Sequence, residues 1–382
     1  MNPRERFIAA MRFQPVDRLP NYEMGYWAGS IDRWYEEGLP RHPDAPKGLV
    51  DGAGVKGEGF PWRAPEIRDL SVHTHLGFDA GIEKVAGEWG VYPYYAPEVL
   101  AEDDETVTRR DVDGTVIHVR KDNTSLPHVV DWPVKDRATW EAFKRERLRA
   151  DTPGRFPGDW PQLLEHYRQR DFPLVLGGPF LGVFSALRTL FGFEHLMYLF
   201  FDAPELIDDV LDHLAGLWLA LFEEVLAQTD IDYVYYWEDM SYKRGPMVSP
   251  KVFQRFLAPR YRRINQFFEG RGIDLIFCDT DGDVWQLIDW FAEVGINGLY
   301  PFEVRAGMDV AAVRQAHPQL RMLGGIDKTA LAAGRAAIDR ELARIEPVMR
   351  SGGYVPGCDH YVSPDVPWDH FVYYRRRLAE KL

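Results

Sequence analysis

The chain has 382 residues, 46% hydrophobic and 27% charged, with 45 basic against 59 acidic side chains and a formal charge of -14. This is globular composition, which excludes a largely disordered chain, and its acidic balance argues against nucleic-acid or anionic-membrane binding through the whole surface. Its two cysteines, Cys278 and Cys358, cannot make a disulfide scaffold and point to a reducing compartment or to a site that uses sulfur.

In chain order, MNPRERFIAAM predicts a short helix with Pro3 in its first turn and Phe7, Ile8 and Met11 on one face. It has no long apolar run and no small-residue cleavage site, so it does not read as a secretion signal, and no stretch approaches a membrane span. A cytoplasmic protein without membrane partners is the expectation. Residues 38–65 are rich in Pro, Gly and Asp and predict a long loop that covers something. GEWGVYPYY (87–95) predicts a strand, and TVTRRDVDGTVIHVR (106–120) a hairpin turning at Asp113–Gly114.

From residue 170 a unit repeats: a short apolar strand, a polar or glycine-rich turn, then a helix. PLVLGG (173–178) precedes a helix near 180–199. Residues 202–229 predict a long amphipathic helix capped by Asp202, with Pro204 in its first turn. Ser249 is the expected cap of the helix after IDYVYYWEDM (231–240), and Pro259 is expected to bend or divide that helix. Strands are predicted at NYEMGYW, GEWGVYP, PLVLGG, YVYYWED, LIFCDTD, GINGLYP, RMLGGID and GYVPGCD. Eight apolar strands alternating with helices predict an α/β fold, a (β/α)8 TIM barrel forming one domain over residues 1–382, with the 105–120 hairpin inserted after the second strand. The competing architecture is an open doubly wound sheet, against which stands the absence of an early GxGxxG.

In a barrel the chemistry lies at the C-terminal strand ends. Trp237, Glu238 and Asp239 end the fourth strand, Cys278, Asp279 and Asp281 the fifth, and Tyr300 and Glu303 the sixth. Asp327 and Lys328 end the seventh, and Cys358, Asp359 and His360 the eighth. Asp279 and Asp281 lie two residues apart, so on a strand both face one side; they either share a metal or a proton, or cap the helix near 284–293. Carboxylate, thiolate and imidazole at Cys358, Asp359 and His360 suit zinc. Glu238 and Asp239 read as general acid, metal ligand or ion-pair partner to Lys243 and Arg244. Trp237, Tyr235, Tyr236 and Tyr300 would line a pocket for a flat ligand or simply pack the barrel. The basic candidates for an anionic substrate are Arg188, Lys243, Arg244, Arg305 and Lys328, with His73 and His75 more remote. Cys278, on the opposite side of its strand from Asp279, reads as a buried thiol.

Together RERFIAAMRFQPVDRLP (4–20), LGFDAGIE (76–83), IDYVYYWEDMSYKRGPMVSPKVFQRFLAPRY (231–261), IFCDTDGD (276–283), GINGLYPFE (295–303), MLGGIDK (322–328) and GGYVPGCDHYVSPDVPW (352–368) resemble the uroporphyrinogen decarboxylase superfamily, in its decarboxylase-like branch related to corrinoid methyltransferases. The resemblance implies a (β/α)8 barrel. Its decarboxylases remove acetate carboxyl groups from a tetrapyrrole without a cofactor and hold the acid with an arginine-rich segment after the first strand. Here NYEMGYWAGSIDRWY has no arginine before Arg33, and the family's pocket aspartate would be sought near Asp79. Its methyltransferases bind zinc at positions that fall on Asp279, Asp281 and Cys358.

The resemblance therefore implies a methyltransferase that moves a methyl group to or from a corrinoid carrier with the help of zinc or another divalent metal. Asp279, Asp281 and Cys358 would hold the metal, with His360 or Glu238 completing the set. Asp359 and His360 would position or transfer a proton, Glu238 and Asp239 would serve as base or ligand, and Tyr300 would orient a substrate bound by Trp237, Lys243, Arg305 and Lys328. The alternatives are metal-free decarboxylation of a small or tetrapyrrole-like carboxylic acid, with no cofactor, and a noncatalytic barrel that binds a ligand or a corrinoid protein. A small-molecule substrate, a corrinoid protein and a homodimer are the implied partners, the last because the decarboxylase relatives are often dimers.

Overall fold

The computed structural model describes residues 1–49, 53–63, 66–121 and 127–382, so residues 50–52 and 64–65 of the 38–65 loop lie outside the described residues. The first helix, Pro3–Met11, starts from an Asn2 cap whose side chain accepts from Glu5 N–H. Strand β1 (Gly25–Trp27) pairs antiparallel with β2 (Gly54–Lys56), which forms inside the expected loop. Strand β3 is Glu83–Lys84. Strands β4 (Glu98–Glu102), β5 (Thr106–Arg110), β6 (Val116–Arg120) and β7 (His128–Asp131) make a separate four-stranded antiparallel sheet. The hairpin turns at Asp113–Gly114 as expected, with Gly114 at φ +90° and Thr115 N–H bonded to Asp113. It belongs to a larger insertion than the sequence indicates.

The remaining strands are β8 (Leu174–Gly178), β9 (Tyr233–Trp237), β10 (Ser241–Tyr242), β11 (Gly245–Pro246), β12 (Ile276–Asp279), β13 (Gly298–Tyr300), β14 (Arg321–Leu323) and β15 (Tyr354–Val355). β10 and β11 form a small hairpin. The others, with β3, build one seven-stranded parallel sheet in the order β3-β8-β9-β12-β13-β14-β15, flanked by helices. The sheet is curled and TIM-barrel-like but stays open as a ladder. At its β15 side, Val362 exchanges hydrogen bonds with Gly25 and Trp27 of β1. At its β3 side, Glu58 O accepts from Ile82 N–H and Trp62 N–H donates to Ile82 O. Residues 54–62 bridge these two margins, since Gly57 and Gly59 N–H also bond to Met24 and Glu23 carbonyls.

The predicted second strand differs. GEWGVYP is irregular, and Trp89 and Val91 are buried as packing residues; β3 itself carries two charged residues. The helix expected from Asp202 begins at Pro204 with Ala203 before it, while Asp202 ends the preceding helix Phe193–Asp202. The segment near 180–199 is split at Gly192, whose φ of +75° breaks the run between Val183–Phe191 and Phe193–Asp202. Ser249 accepts from Val252 N–H, and the helix it starts passes through a π turn, Phe253–Leu257, just before Pro259.

Interior volume is matched between neighbouring strands, as close packing requires. Gly177 of β8 stands opposite Tyr235 of β9, and a Cβ there would meet the Tyr235 ring at 2.3 Å. Gly298 of β13 likewise admits Phe277 of β12, whose ring a Cβ would meet at 2.4 Å. These two glycines let large rings fill the sheet's concave side beneath the strand ends.

Candidate active site

Side chains on a strand alternate, so Phe277 and Asp279 share one side of β12 and Cys278 takes the other. Phe277 stands beside Tyr235 and Gly298, and Asp279 beside Trp237 and Tyr300. Asp279 therefore lies one layer above the aromatic floor, at the strand ends. It is 6% exposed, and no hydrogen bond reaches its carboxyl oxygens among the described residues. Burial, then the charges of Asp281 and Asp239, push its proton affinity well up, while Lys56 and Lys84 oppose the shift. The hydroxyl of Tyr300, its neighbour across the strands, is buried without a partner among the described residues. An unpaired buried carboxylate is costly, so this group favours its protonated form.

The nearby cations come from β2 and β3. Lys84 Nζ lies 2.6 Å from Glu66, while Lys56 Nζ lies 2.7 Å from Tyr361 Oη and 3.9 Å from the Phe60 ring centre. Burial brings Lys56 down to about 8. Phe60 and Tyr361 in turn adjoin each other, and Phe60 adjoins Tyr300. A cavity of about 490 Å³ opens over the ends of β3, β8 and β9, lined by Arg63, Glu66, Lys84, Phe180, Trp237 and other residues, including Asp113 of the inserted hairpin. Lys56, Lys84, Glu66, Phe60 and Tyr361 are residues that sequence reasoning did not find. The one available signal was the prediction that the 38–65 loop covers something.

A second group of charges forms beside the first. His360 Nε2 lies 3.8 Å from Asp281. Burial and Lys328 push His360 down to about 4, so it is neutral at pH 7 and this contact is not an ion pair. Burial, with Glu303 and Asp239, pushes Asp281 up to about 7. Glu303 accepts from Gly282 N–H at 2.9 Å. Asp359 is tied down by Val304 N–H at 3.1 Å and Lys328 N–H at 3.3 Å, with Lys328 Nζ 3.6 Å away. Asp239, at φ +45°, pairs with Arg188 at 3.1 Å.

Other expected site residues are occupied elsewhere. Glu238 is fully buried and accepts the N–H groups of Val183, Phe184 and Ser185 at 2.5, 2.9 and 3.0 Å, with the Tyr261 hydroxyl as a fourth donor. It caps the helix Val183–Phe191, whose own cap position is Gly182; a Cβ there would meet Trp237 O at 2.2 Å. That helix can carry no capping side chain of its own, and β9 supplies one. Cys358 is buried with its N–H on Glu23, which is held by Arg375 and Tyr374. The charges its thiol feels most are Glu23 and Asp359. Lys243 is exposed on the β10–β11 hairpin, and the Arg305 side chain is 74% exposed. Asp79 holds Arg6, Arg18 and Asn21 N–H, and His73 lies against Glu58.

A cavity of about 540 Å³ at the opposite, N-terminal ends of β9 and β12 is lined by Arg4, Arg12, Asp232 and Arg271 among others. Its charges are spent in pairs, Arg4 on Asp232, Arg12 on Asp274 and Arg271 on Glu223.

The family model described as Uroporphyrinogen decarboxylase (URO-D) matches residues 163–376, more than half of the chain. No curated protein matches. Among solved structures, a Listeria monocytogenes protein described as a vitamin-B12 independent methionine synthase is similar at 14% identity over 57% of this chain and 68% of that chain, with a TM-score of 0.32, a likeness too slight to bear on fold or chemistry.

Metal-assisted methyl transfer with a corrinoid carrier is overturned by these findings. The family that matches is a decarboxylase family. Among the described residues no group of three or more His, Cys, Asp or Glu side chains is placed to hold a metal ion. Asp279, Asp281 and Cys358 are not among any such group of described residues. Among the described residues, no helix is long and apolar enough to cross a membrane.

Proposed function

Because the chain belongs to the uroporphyrinogen decarboxylase (URO-D) family, we propose that it is a lyase that removes CO2 from a small or tetrapyrrole-like carboxylic acid, using its own side chains. The observation that carries this reading is Asp279, a buried carboxyl at a strand end with no hydrogen-bond partner among the described residues, acted on by the charges of buried Lys84 and half-buried Lys56. In this reading β1 and residues 54–62 act as the stave that completes an eight-stranded barrel, which turns Lys56 toward the interior.

The chemistry follows from charge. A carboxylate entering the cavity is drawn to Lys84 and Arg63 on its wall, whose attraction is strong where water is excluded. As the C–CO2 bond breaks, its electron pair stays on carbon, and that carbon must take a proton. Asp279, kept protonated by burial, donates it, leaving R–H and CO2. Asp281, pushed up to about 7, exchanges protons with water and returns one to Asp279. The neutral Tyr300 hydroxyl orients the substrate.

The test is CO2 release from a panel of β-keto acids, aromatic acids and tetrapyrrole acids in D2O. One acid is expected to lose CO2 and gain one deuterium at the vacated carbon, with both events lost in Asp279→Asn. Turnover undiminished in that variant would overturn the role of Asp279.

A further inference from the structure

Two lysines act on the charge of Asp279 and share one other carboxylate, Glu66. Glu66 is 2.6 Å from Lys84 Nζ but 4.0 Å from Lys56 Nζ. Lys84 holds the ion pair, and Lys56 has no anion within 3.5 Å among the described residues. Its Nζ instead donates to the Tyr361 hydroxyl at 2.7 Å and lies over the Phe60 ring. A lysine held this way in apolar surroundings, next to a second cation, is an activated amine. Burial, with Lys84 adding to it and Glu66 opposing, lowers Lys56 to about 8, so a usable fraction is neutral at pH 7.

We infer, on the basis of the decarboxylase reading, that Lys56 forms an imine with the ketone of a β-keto acid and that this imine takes up the electrons released with CO2. The neutral amine adds to the carbonyl carbon, and the carbinolamine loses water after Asp279 protonates its hydroxyl. The product is a protonated imine and an Asp279 carboxylate, which water reprotonates through Asp281. The C–CO2 bond then breaks, its electron pair forms the enamine carbon–carbon double bond, and the iminium π pair moves to nitrogen. Asp279 protonates the enamine carbon, and water hydrolyses the resulting imine, restoring Lys56 and releasing the ketone. One water is lost and one regained, so the sum is keto acid to ketone plus CO2. The Tyr361 hydroxyl holds the amine in place before attack, and Lys84 with Arg63 receives the substrate carboxylate at the cavity wall.

Acetone and acetoacetate are the probes, each incubated with the intact enzyme and sodium borohydride and followed by peptide mapping. The expected result with either probe is one isopropyl group on Lys56, in preference to Lys84 and the exposed lysines. Lys56→Arg, checked for an unchanged melting temperature, is expected to lose the adduct and at least about 100-fold in CO2 release from the acid it turns over. Absence of preferential Lys56 labelling by acetone would overturn the imine, as would full CO2 release in Lys56→Arg. The two failures are distinguishable. Acetone labelling of Lys56 with no acid in the panel decarboxylated would sink the decarboxylase reading instead, since imine formation with acetone needs no decarboxylation.

Discussion

The ends of β9 and β12 lie side by side, joined by Glu238 N–H donating to Asp279 O at 2.9 Å. Each carries a buried carboxyl group whose proton affinity is raised first by burial, Glu238 to about 7 and Asp279 well above its ordinary value. They differ in what they face. Glu238 has four donors aimed at it, three from the start of one helix and one from Tyr261, whereas Asp279 has none among the described residues and feels the charges of Lys56 and Lys84. Burial and charge alone do not separate a structural carboxylate from a reactive one; hydrogen-bond satisfaction does.

The sharpest break of this comparison is a pair of variants. Asp279→Asn keeps shape and removes the proton, so turnover is expected to fall by a factor on the order of 10²–10⁴, read as CO2 release. Its melting temperature is expected to hold or rise, because a neutral amide replaces a group whose ionisation is penalised by burial. Glu238→Ala is expected to act in the opposite sense. It strands three helix N–H groups and costs about 3 kcal/mol of stability, measured by urea denaturation, while the folded fraction keeps most of its turnover. If Glu238→Ala proved as stable as the parent and inactive, the assignment of the two carboxyls would be reversed.

A smaller effect concerns pH. Asp281 titrates near 7 in the folded chain against an ordinary value of 3.8. Its raised value means that protons bind the folded state more tightly. The stability this lends is fully present below about pH 4 and is lost as pH rises through about 7. Asp281→Asn removes that loss, so the fall in urea midpoint between pH 5 and pH 8 is expected to shrink. In the proposed reaction the same variant slows the return of the proton, and turnover becomes sensitive to added buffer acids, which can replace the missing relay. An unchanged pH profile together with buffer-independent turnover would remove Asp281 from the relay.

Much of this was legible in the sequence. Most strands announced themselves as apolar runs, and the position of Asp279 at a strand end followed from alternation. The second strand was misplaced because β3 consists of Glu83 and Lys84, charged residues that give no apolar signal, while Trp89 and Val91 nearby look like a strand and serve as packing. Glu238 misled for a related reason. Its role depends on Gly182, more than fifty residues earlier, having no room for a side chain. Lys56 was invisible because it reaches the site only through the pairing of β2 with β1, inside a stretch whose composition reads as loop. The family resemblance supplied the right family, while the ligand positions carried over from its methyltransferases assemble into no metal-holding group among the described residues.

Cys358 offers the finest test, since it extends the contrast between satisfied and unsatisfied groups to sulfur. Its backbone N–H is fixed by Glu23 at 2.7 Å, its side chain is fully buried, and burial pushes its thiol well up, away from the thiolate form that binds metals. In the decarboxylase reading its contribution is packing. Cys358→Ala deletes one buried sulfur and is expected to cost about 1 kcal/mol, seen as a small drop in urea midpoint, with CO2 release unchanged and no response to dialysis against a chelator. A thiolate ligand would behave differently, because its loss would abolish turnover at any stability and the chelator would reproduce that loss in the parent. The two outcomes differ in rate far more than in stability, so the measurement separates a packed thiol from a reactive one even if the cavity left by the sulfur collapses at no cost.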